Sequence, residues 1–291
     1  MAQSFTAAAP GALAKTADGV RRRVLVTGAA GNIGSYFAEH SHQKYDLVLM
    51  ERELNEDTEK IKNFGELVQG DIGDLDRVKE LCHGIDTVLH LAADPSPSAT
   101  WQSVRDLNIS GTYYTMVAAK AAGCRRLIYA SSIHAVSGYP VDVQVKTSEP
   151  VNPGDLYGVS KCFGEALGRY MAEQEGLSVI ALRIGAFQPI EKARQEDSLS
   201  MVDAFVSHRD LNQLIMRCID VENIKFAILH GLSNNHFKRL DISDARELVG
   251  YDPQDDATKE NPLLKDLHLS ETVQTHSRID DGQKSGLRED L

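Results

Sequence analysis

Between residues 24 and 39 the chain passes from an apolar, β-rich segment (24–27) directly into a helical pattern (33–39). The join is glycine-rich: Thr27-Gly28-Ala29-Ala30-Gly31-Asn32-Ile33-Gly34. Each glycine has a separate physical use. Gly28 permits the tight turn, Gly31 removes a side chain that would block a pyrophosphate, and Gly34 lets the helix pack close to the strand. The start of the helix, with Asn32 and Ile33, presents unpaired N–H groups and the positive end of a dipole to an anion. A GxxGxxG spacing alone is compatible with a plain strand-to-helix turn. Placed after an apolar strand and opening a helix, it has the context of a dinucleotide-binding loop.

The same alternation continues. Apolar β-rich runs recur at 24–27, 47–50, 66–69, 87–91, 127–130, 179–183 and 225–230, with helical patterns at 33–39, 75–81, 110–122 and 157–175. Near-continuous apolar runs are those of strands buried on both faces, and strand–helix alternation implies right-handed βαβ crossovers. The expected fold class is α/β: a Rossmann-type doubly wound parallel sheet with a small C-terminal substrate lobe. Residues 21–184 are expected to form the dinucleotide-binding core. Residues 185–252 would form the substrate lobe, which returns the last core strand at 225–230.

The ends differ from this body. Residues 1–20 are rich in Ala, Gly, Ser and Thr, lack early positive charge, and read as a disordered extension. Residues 252–291 hold ten acids and five bases, with no aromatic after Tyr251. Residues 253–291 therefore read as a mostly mobile acidic tail, in which only an apolar patch at 263–269 can dock.

Strand ends supply the next candidates. Glu51 follows the second run, 23 residues after Gly28. A carboxylate there can accept both hydroxyls of an adenosine ribose and would repel a 2′-phosphate, which favours NAD over NADP. Arg52 beside it is the feature that would tolerate that phosphate. Asp71 and Ile72 end the third run, where Asp71 can accept from an adenine amino group. Leu91, Ala92 and Ala93 end the fourth, and Ile184 ends the run at 179–183. All are expected to contact the cofactor.

Leu156-Tyr157-Gly158-Val159-Ser160-Lys161 opens a helix after a proline loop, and Tyr157 and Lys161, at i and i+4, share a face. A phenol ionises near pH ~10; making it a base at neutrality takes about 4 kcal/mol of preferential stabilisation of the phenolate, expected from the Lys161 ammonium with the nicotinamide's positive charge contributing as well. Ser132, just past a strand end, can donate to the same substrate oxygen, with Ser131 the neighbouring choice. His134, two residues on, is a substrate-contact candidate. Tyr157, Lys161 and Ser132 are the expected catalytic residues.

Together, TGAAGNIG, Glu51, Ser132 and YGVSK resemble the extended short-chain dehydrogenase/reductase superfamily over roughly residues 22–252. ASSIHAVSGYP, PGDLYGVSKCFGEALGRY and ALRIG resemble the uronate dehydrogenases and the related archaeal NAD-dependent glucose-6-phosphate dehydrogenases; ADPSPSATWQSV and LVGYDPQDD resemble the latter more closely. The resemblance implies oxidation of the ring C1 hydroxyl of an aldose to a lactone with NAD. It implies Tyr157 as base and Lys161 as the residue that tunes it and holds the nicotinamide ribose. It also implies Ser132 as polarising hydroxyl, His134 at the substrate, Asn108 near the cofactor, and a homodimer through the helices at 110–122 and 157–175. Three positions depart from the uronate pattern: Ile133 replaces an asparagine, Ala186 a serine, and Ser200 the carboxylate-binding arginine. Arg194, Lys192, or His208 with Arg209 are the possible substitutes. The substrate can thus be a uronate, a neutral sugar or a sugar phosphate.

Two other functions share the scaffold. A nucleotide-sugar dehydratase would place an Asp-Glu pair where Ile133-His134 stands, and the 68 residues from Gly185 to Asp252 leave an epimerase little room for a nucleotide-sugar lobe. A non-catalytic NAD-sensing regulator would not need Tyr157, Lys161 and Ser132 together. With 31 Lys+Arg against 42 Asp+Glu, the net charge of −11 argues against a nucleic acid partner. No run reaches the roughly 18 apolar residues of a membrane helix. Four dispersed cysteines without a CxxC pair argue against a metal ribbon or a disulfide scaffold, so a cytoplasmic setting is expected.

Overall fold

The computed structural model describes residues 21–265; the expectations for 1–20 and for the tail beyond 265 lie outside them. Seven strands form one sheet in the order β3-β2-β1-β4-β5-β6-β9. They are β1 (Arg23–Thr27), β2 (Asp46–Glu51), β3 (Glu66–Gln69), β4 (Thr87–His90), β5 (Arg126–Ser132), β6 (Ser178–Ile184) and β9 (Phe226–Gly231). Every adjacent pair is parallel. Alternate residues feed opposite faces, as the pleat requires. Val24, Val26, Leu47 and Leu49 pack with Phe37, Leu211, Leu214 and Ala245, from the helices Asn32–Ser41, His208–Asp220 and Ser243–Val249. Leu25, Val48, Val88 and Leu127 pack on the other side with Val78, Met116 and Met171, from Leu75–Leu81, Thr112–Ala121 and Leu156–Glu173. The sheet is therefore doubly wound. Its order reverses between β1 and β4, and the crevice at their carboxyl ends is where such folds take ligands. Among the described residues no helix is long and apolar enough to cross a membrane.

Three features lie outside the sequence expectation. Two three-residue strands, β7 (Ala186–Gln188) and β8 (Phe205–Ser207), pair in parallel as a separate small sheet, too short to leave a periodic signal. The helix Thr112–Ala121 is preceded by a wide π-helical stretch, Val104–Gly111.

The third lies at the start of the acidic segment: residues 254–261 are packed on the body of the fold. Asp210 accepts the backbone N–H groups of Gln254 (2.8 Å) and Asp255 (3.0 Å). Ala257 packs on Ala193 and Phe205. The buried Asn261 donates to Ala193 O, Gln195 O and Ser198 Oγ at 3.0–3.3 Å. The composition of this segment offers little apolar area, but it docks by satisfying buried backbone groups instead.

Candidate active site

The glycine loop sits where β1 meets the Asn32–Ser41 helix. Gly28 has φ +69°, a conformation that favours glycine. A Cβ on Gly34 would lie 2.5 Å from Gly28 O, so any side chain there would push the helix off the turn. The Ala30 N–H donates to Glu51 Oε1 at 2.6 Å, which ties the loop to the end of β2. Thr27 Oγ1 accepts the N–H groups of Leu91 and Ala92 (3.2 Å each) and pairs with the buried His90 Nδ1 at 2.8 Å, fixing the end of β4 beside the loop.

These elements border a cleft of about 540 Å³. At one end lie Gly28, Gly31, Asn32, Ile33, Gly34, Glu51, Asp71 and Ile72; Leu91, Ala92 and Ala93 line its course, and Ser132, Tyr157, Lys161 and Ile184 close the other end. An elongated cavity with a side-chain-free anion cradle, a carboxylate at the end of β2 and a second at the end of β3 fits an extended dinucleotide. Sequence reasoning did not single out Pro95, Gly185 or Phe187, which also line it. Gly185 had a signal, a glycine directly after the buried run Arg183-Ile184: a Cβ there would lie 2.0 Å from Ala204 O, where the chain crosses from β6 to β7.

Four candidates do not line this cleft. Asn108 is buried and spent on the protein: its Oδ1 accepts from Asp94 N (2.8 Å), and its Nδ2 donates to Asp94 O (3.0 Å) and Ser160 Oγ (3.1 Å). It joins the loop after β4 to the helix carrying Tyr157 and Lys161, and both of its amide hydrogens are engaged. Arg194 is exposed and ion-paired with Glu260 at 2.8 Å. His208 stacks on Phe187 (centroids 4.3 Å apart) and borders a smaller neighbouring cleft of about 330 Å³ with Tyr36 and Glu39. Its pKa is lowered by burial. His134 stands beside Tyr157, the rings edge to face with centroids 5.4 Å apart. Its Nδ1 lies 2.6 Å from Asp155 Oδ2. Asp155 was missed, although an acid directly before Leu156-Tyr157-Gly158 is a helix N-cap signal; its Oδ1 accepts the Gly158 N–H at 2.7 Å.

Burial dominates the electrostatics of the tyrosine–lysine pair in the protein alone. Both groups are buried, which disfavours both charged forms. Burial pushes the Tyr157 phenol up to about 12, with the Ser132 hydroxyl pulling the other way and Asp155 and Asp94 adding to the rise. Burial brings the Lys161 ammonium down to about 7. Lys161 Nζ donates to Ala130 O at 2.8 Å and lies 5.3 Å from the centre of the Tyr157 ring. In the protein alone the lysine therefore does not make the phenol acidic.

Behind the pair, Ser131 Oγ donates to Glu165 Oε1 at 2.6 Å. The Glu165 carboxylate is held by Arg183 through Nε (2.9 Å) and Nη2 (2.8 Å).

Comparisons with known proteins agree on the class of this site. A model of the NAD dependent epimerase/dehydratase family matches residues 24–207. The chain is 34% identical over 251 residues to the NAD-dependent glucose-6-phosphate dehydrogenase of Haloferax volcanii, covering 81% of this chain and 94% of that one. It is 34% identical over 254 residues to the L-arabinose 1-dehydrogenase (NAD(P)(+)) of the same organism, covering 81% and 97%. Among solved structures, uronate dehydrogenase from Agrobacterium tumefaciens aligns with a TM-score of 0.74 at 30% identity, covering 89% of this chain and 92% of that one. A variant of that enzyme complexed with NAD aligns with a TM-score of 0.74 at 29% identity, covering 90% and 93%.

Proposed function

We propose that this chain, which belongs to the NAD-dependent epimerase/dehydratase family, is an NAD-dependent sugar dehydrogenase that oxidises the C1 hydroxyl of an uncharged aldose to its lactone. The observation that carries the reading is the convergence of Tyr157, Lys161 and Ser132 on one end of the cleft that the glycine loop opens. The relatives named above are dehydrogenases of a sugar phosphate, a pentose and a uronate, and the pentose enzyme's name puts its chemistry at position 1.

NAD, when bound, supplies the hydride acceptor and a cationic ring. The start of the Asn32–Ser41 helix and the glycines would hold its pyrophosphate. Glu51, with one oxygen on the Ala30 N–H, would offer the other to the adenosine ribose, and Asp71 would take the adenine amino group. Lys161, steadied on the Ala130 carbonyl, binds the nicotinamide ribose. Tyr157 takes the C1 hydroxyl proton on its phenolate oxygen while Ser132 donates to the same substrate oxygen. Burial sets the phenol high, so its activation depends on positive charge brought into a low-dielectric site, where each charge acts strongly. A cytoplasmic homodimer is part of the same reading. It would use the helices Thr112–Ala121 and Leu156–Glu173, whose Tyr113, Val159 and Tyr170 are exposed.

The preference for an uncharged sugar rests on the three cations that sequence reasoning offered in place of the missing arginine. Lys192 pairs with Asp197, Arg194 with Glu260 and Arg209 with Asp255. Position 200, where the uronate pattern has its arginine, is serine. From these three, a carboxylate or phosphate on the sugar would lose water without gaining a free cation. Purified protein with NAD is expected to oxidise L-arabinose, D-xylose or D-glucose with a kcat/KM at least about tenfold above that for D-galacturonate or glucose 6-phosphate, the equivalent of one charge-assisted hydrogen bond. A charged sugar leading the panel would contradict the substrate class.

A further inference from the structure

One close polar contact beside the phenol has no part in the scheme above. Asp155 uses its two carboxylate oxygens differently. Oδ1 accepts the Gly158 N–H and caps the helix that carries Tyr157 and Lys161. Oδ2 meets His134 Nδ1 at 2.6 Å. An ionised carboxylate can only accept, so it draws the proton of a neutral imidazole onto Nδ1. Nε2 is then left with a lone pair. It has no hydrogen-bond partner among the described residues, and the side chain, 31% exposed, stays open to a ligand. The imidazole stands edge to face against the Tyr157 ring, with centroids 5.4 Å apart.

We propose that Asp155 is a positioning residue: it locks His134 as the Nδ1–H tautomer, so that Nε2 accepts a second hydroxyl of the bound aldose. The hydroxyl-accepting role rests on the dehydrogenase reading; the tautomer does not. A neutral His134 of the opposite tautomer would present an N–H there and could not accept that hydroxyl.

Asp155→Asn separates this role from capping. Asparagine caps a helix as well as aspartate, so Oδ1 can keep the Gly158 N–H. Its amide nitrogen then faces Nδ1, which must become the acceptor, and the proton moves to Nε2. The variant is expected to keep its Tm and its NAD affinity while kcat/KM for the aldose falls about 10- to 100-fold, mostly through KM, because the lost contact is made in the ground state.

Nitrogen-15 spectra of the histidine rings, with His134 assigned by a His134→Gln variant, read the tautomer without substrate. The wild type is expected to show Nδ1–H and Asp155→Asn to show Nε2–H. An Nε2–H tautomer in the wild type, or an Asp155→Asn enzyme with wild-type kcat/KM, overturns the proposal. A wild-type enzyme that oxidises no aldose overturns the dehydrogenase reading and the hydroxyl-accepting role together. That failure is distinguishable, because the ring spectrum still reports the tautomer.

Discussion

Tyr157→Phe is expected to lower kcat by about 10²–10⁴-fold, the range over which a positioned general base acts. The substitution removes one oxygen. The ring is buried and would keep its packing against His134. The pyrophosphate cradle is built from other residues, so the NAD dissociation constant should stay within about twofold of the wild-type value. The pH profile gives the sign. The phenol must lose its proton to act, and burial holds it at about 12 in the protein alone. Wild-type kcat should therefore rise with pH until the phenol in the ternary complex is ionised, because each step of one pH unit below that point gives about ten times more phenolate. The residual rate of Tyr157→Phe should lack that rising limb. A variant that keeps both its rate and its limb would remove Tyr157 from the mechanism.

The largest expected loss of stability is at Glu165. Its carboxylate and the Arg183 guanidinium form a two-bond pair with side-chain exposures of 3% and 1%. Glu165→Ala leaves that guanidinium buried and uncompensated, which costs about 3–5 kcal/mol. In a folded body of this size that corresponds to a Tm lower by about 10 °C. Ser131 would also lose its acceptor, and it adjoins Ser132, so turnover should fall in the fraction that remains folded. Replacing both partners with methionine should recover most of the stability, because the penalty comes from the orphaned charge more than from a missing attraction. Thermal unfolding of the single and double variants checks this. A Glu165→Ala protein within about 2 °C of wild type would mean that water or a neighbouring group satisfies Arg183.

What was readable in the sequence follows from how local each determinant is. The inner sheet strands announce themselves because strands covered on both faces must be apolar at nearly every position; the edge strand 66–69 and the helix 75–81 also fall at their observed bounds. The glycine loop and Glu51 were legible for a related reason: once the order of strands is known, the carboxyl end of each is a fixed place in the crevice. Candidates whose geometry depends on distant partners were not legible. Arg194 is turned away by Glu260, 66 residues on. The amide of Asn108 is consumed by Asp94 and by Ser160, 52 residues on. The packing of 253–265 depends on Asp210, Asn235 and Asn261, polar residues that a search for apolar mass passes over. The spacing of Tyr157 and Lys161 put them on one helix face, but spacing carries no information about burial, and in the protein alone burial raises the phenol.

The claim that ties these residues together is that Tyr157 deprotonates the hydroxyl on C1 while the hydrogen on that carbon leaves for NAD. Purified protein given NAD and L-arabinose deuterated at C1 tests it most directly, with the reduced cofactor analysed by mass spectrometry. Oxidation at C1 puts the deuterium in the reduced cofactor. Reduced cofactor without the label, or no reduction with any C1-deuterated aldose of the panel, would contradict it.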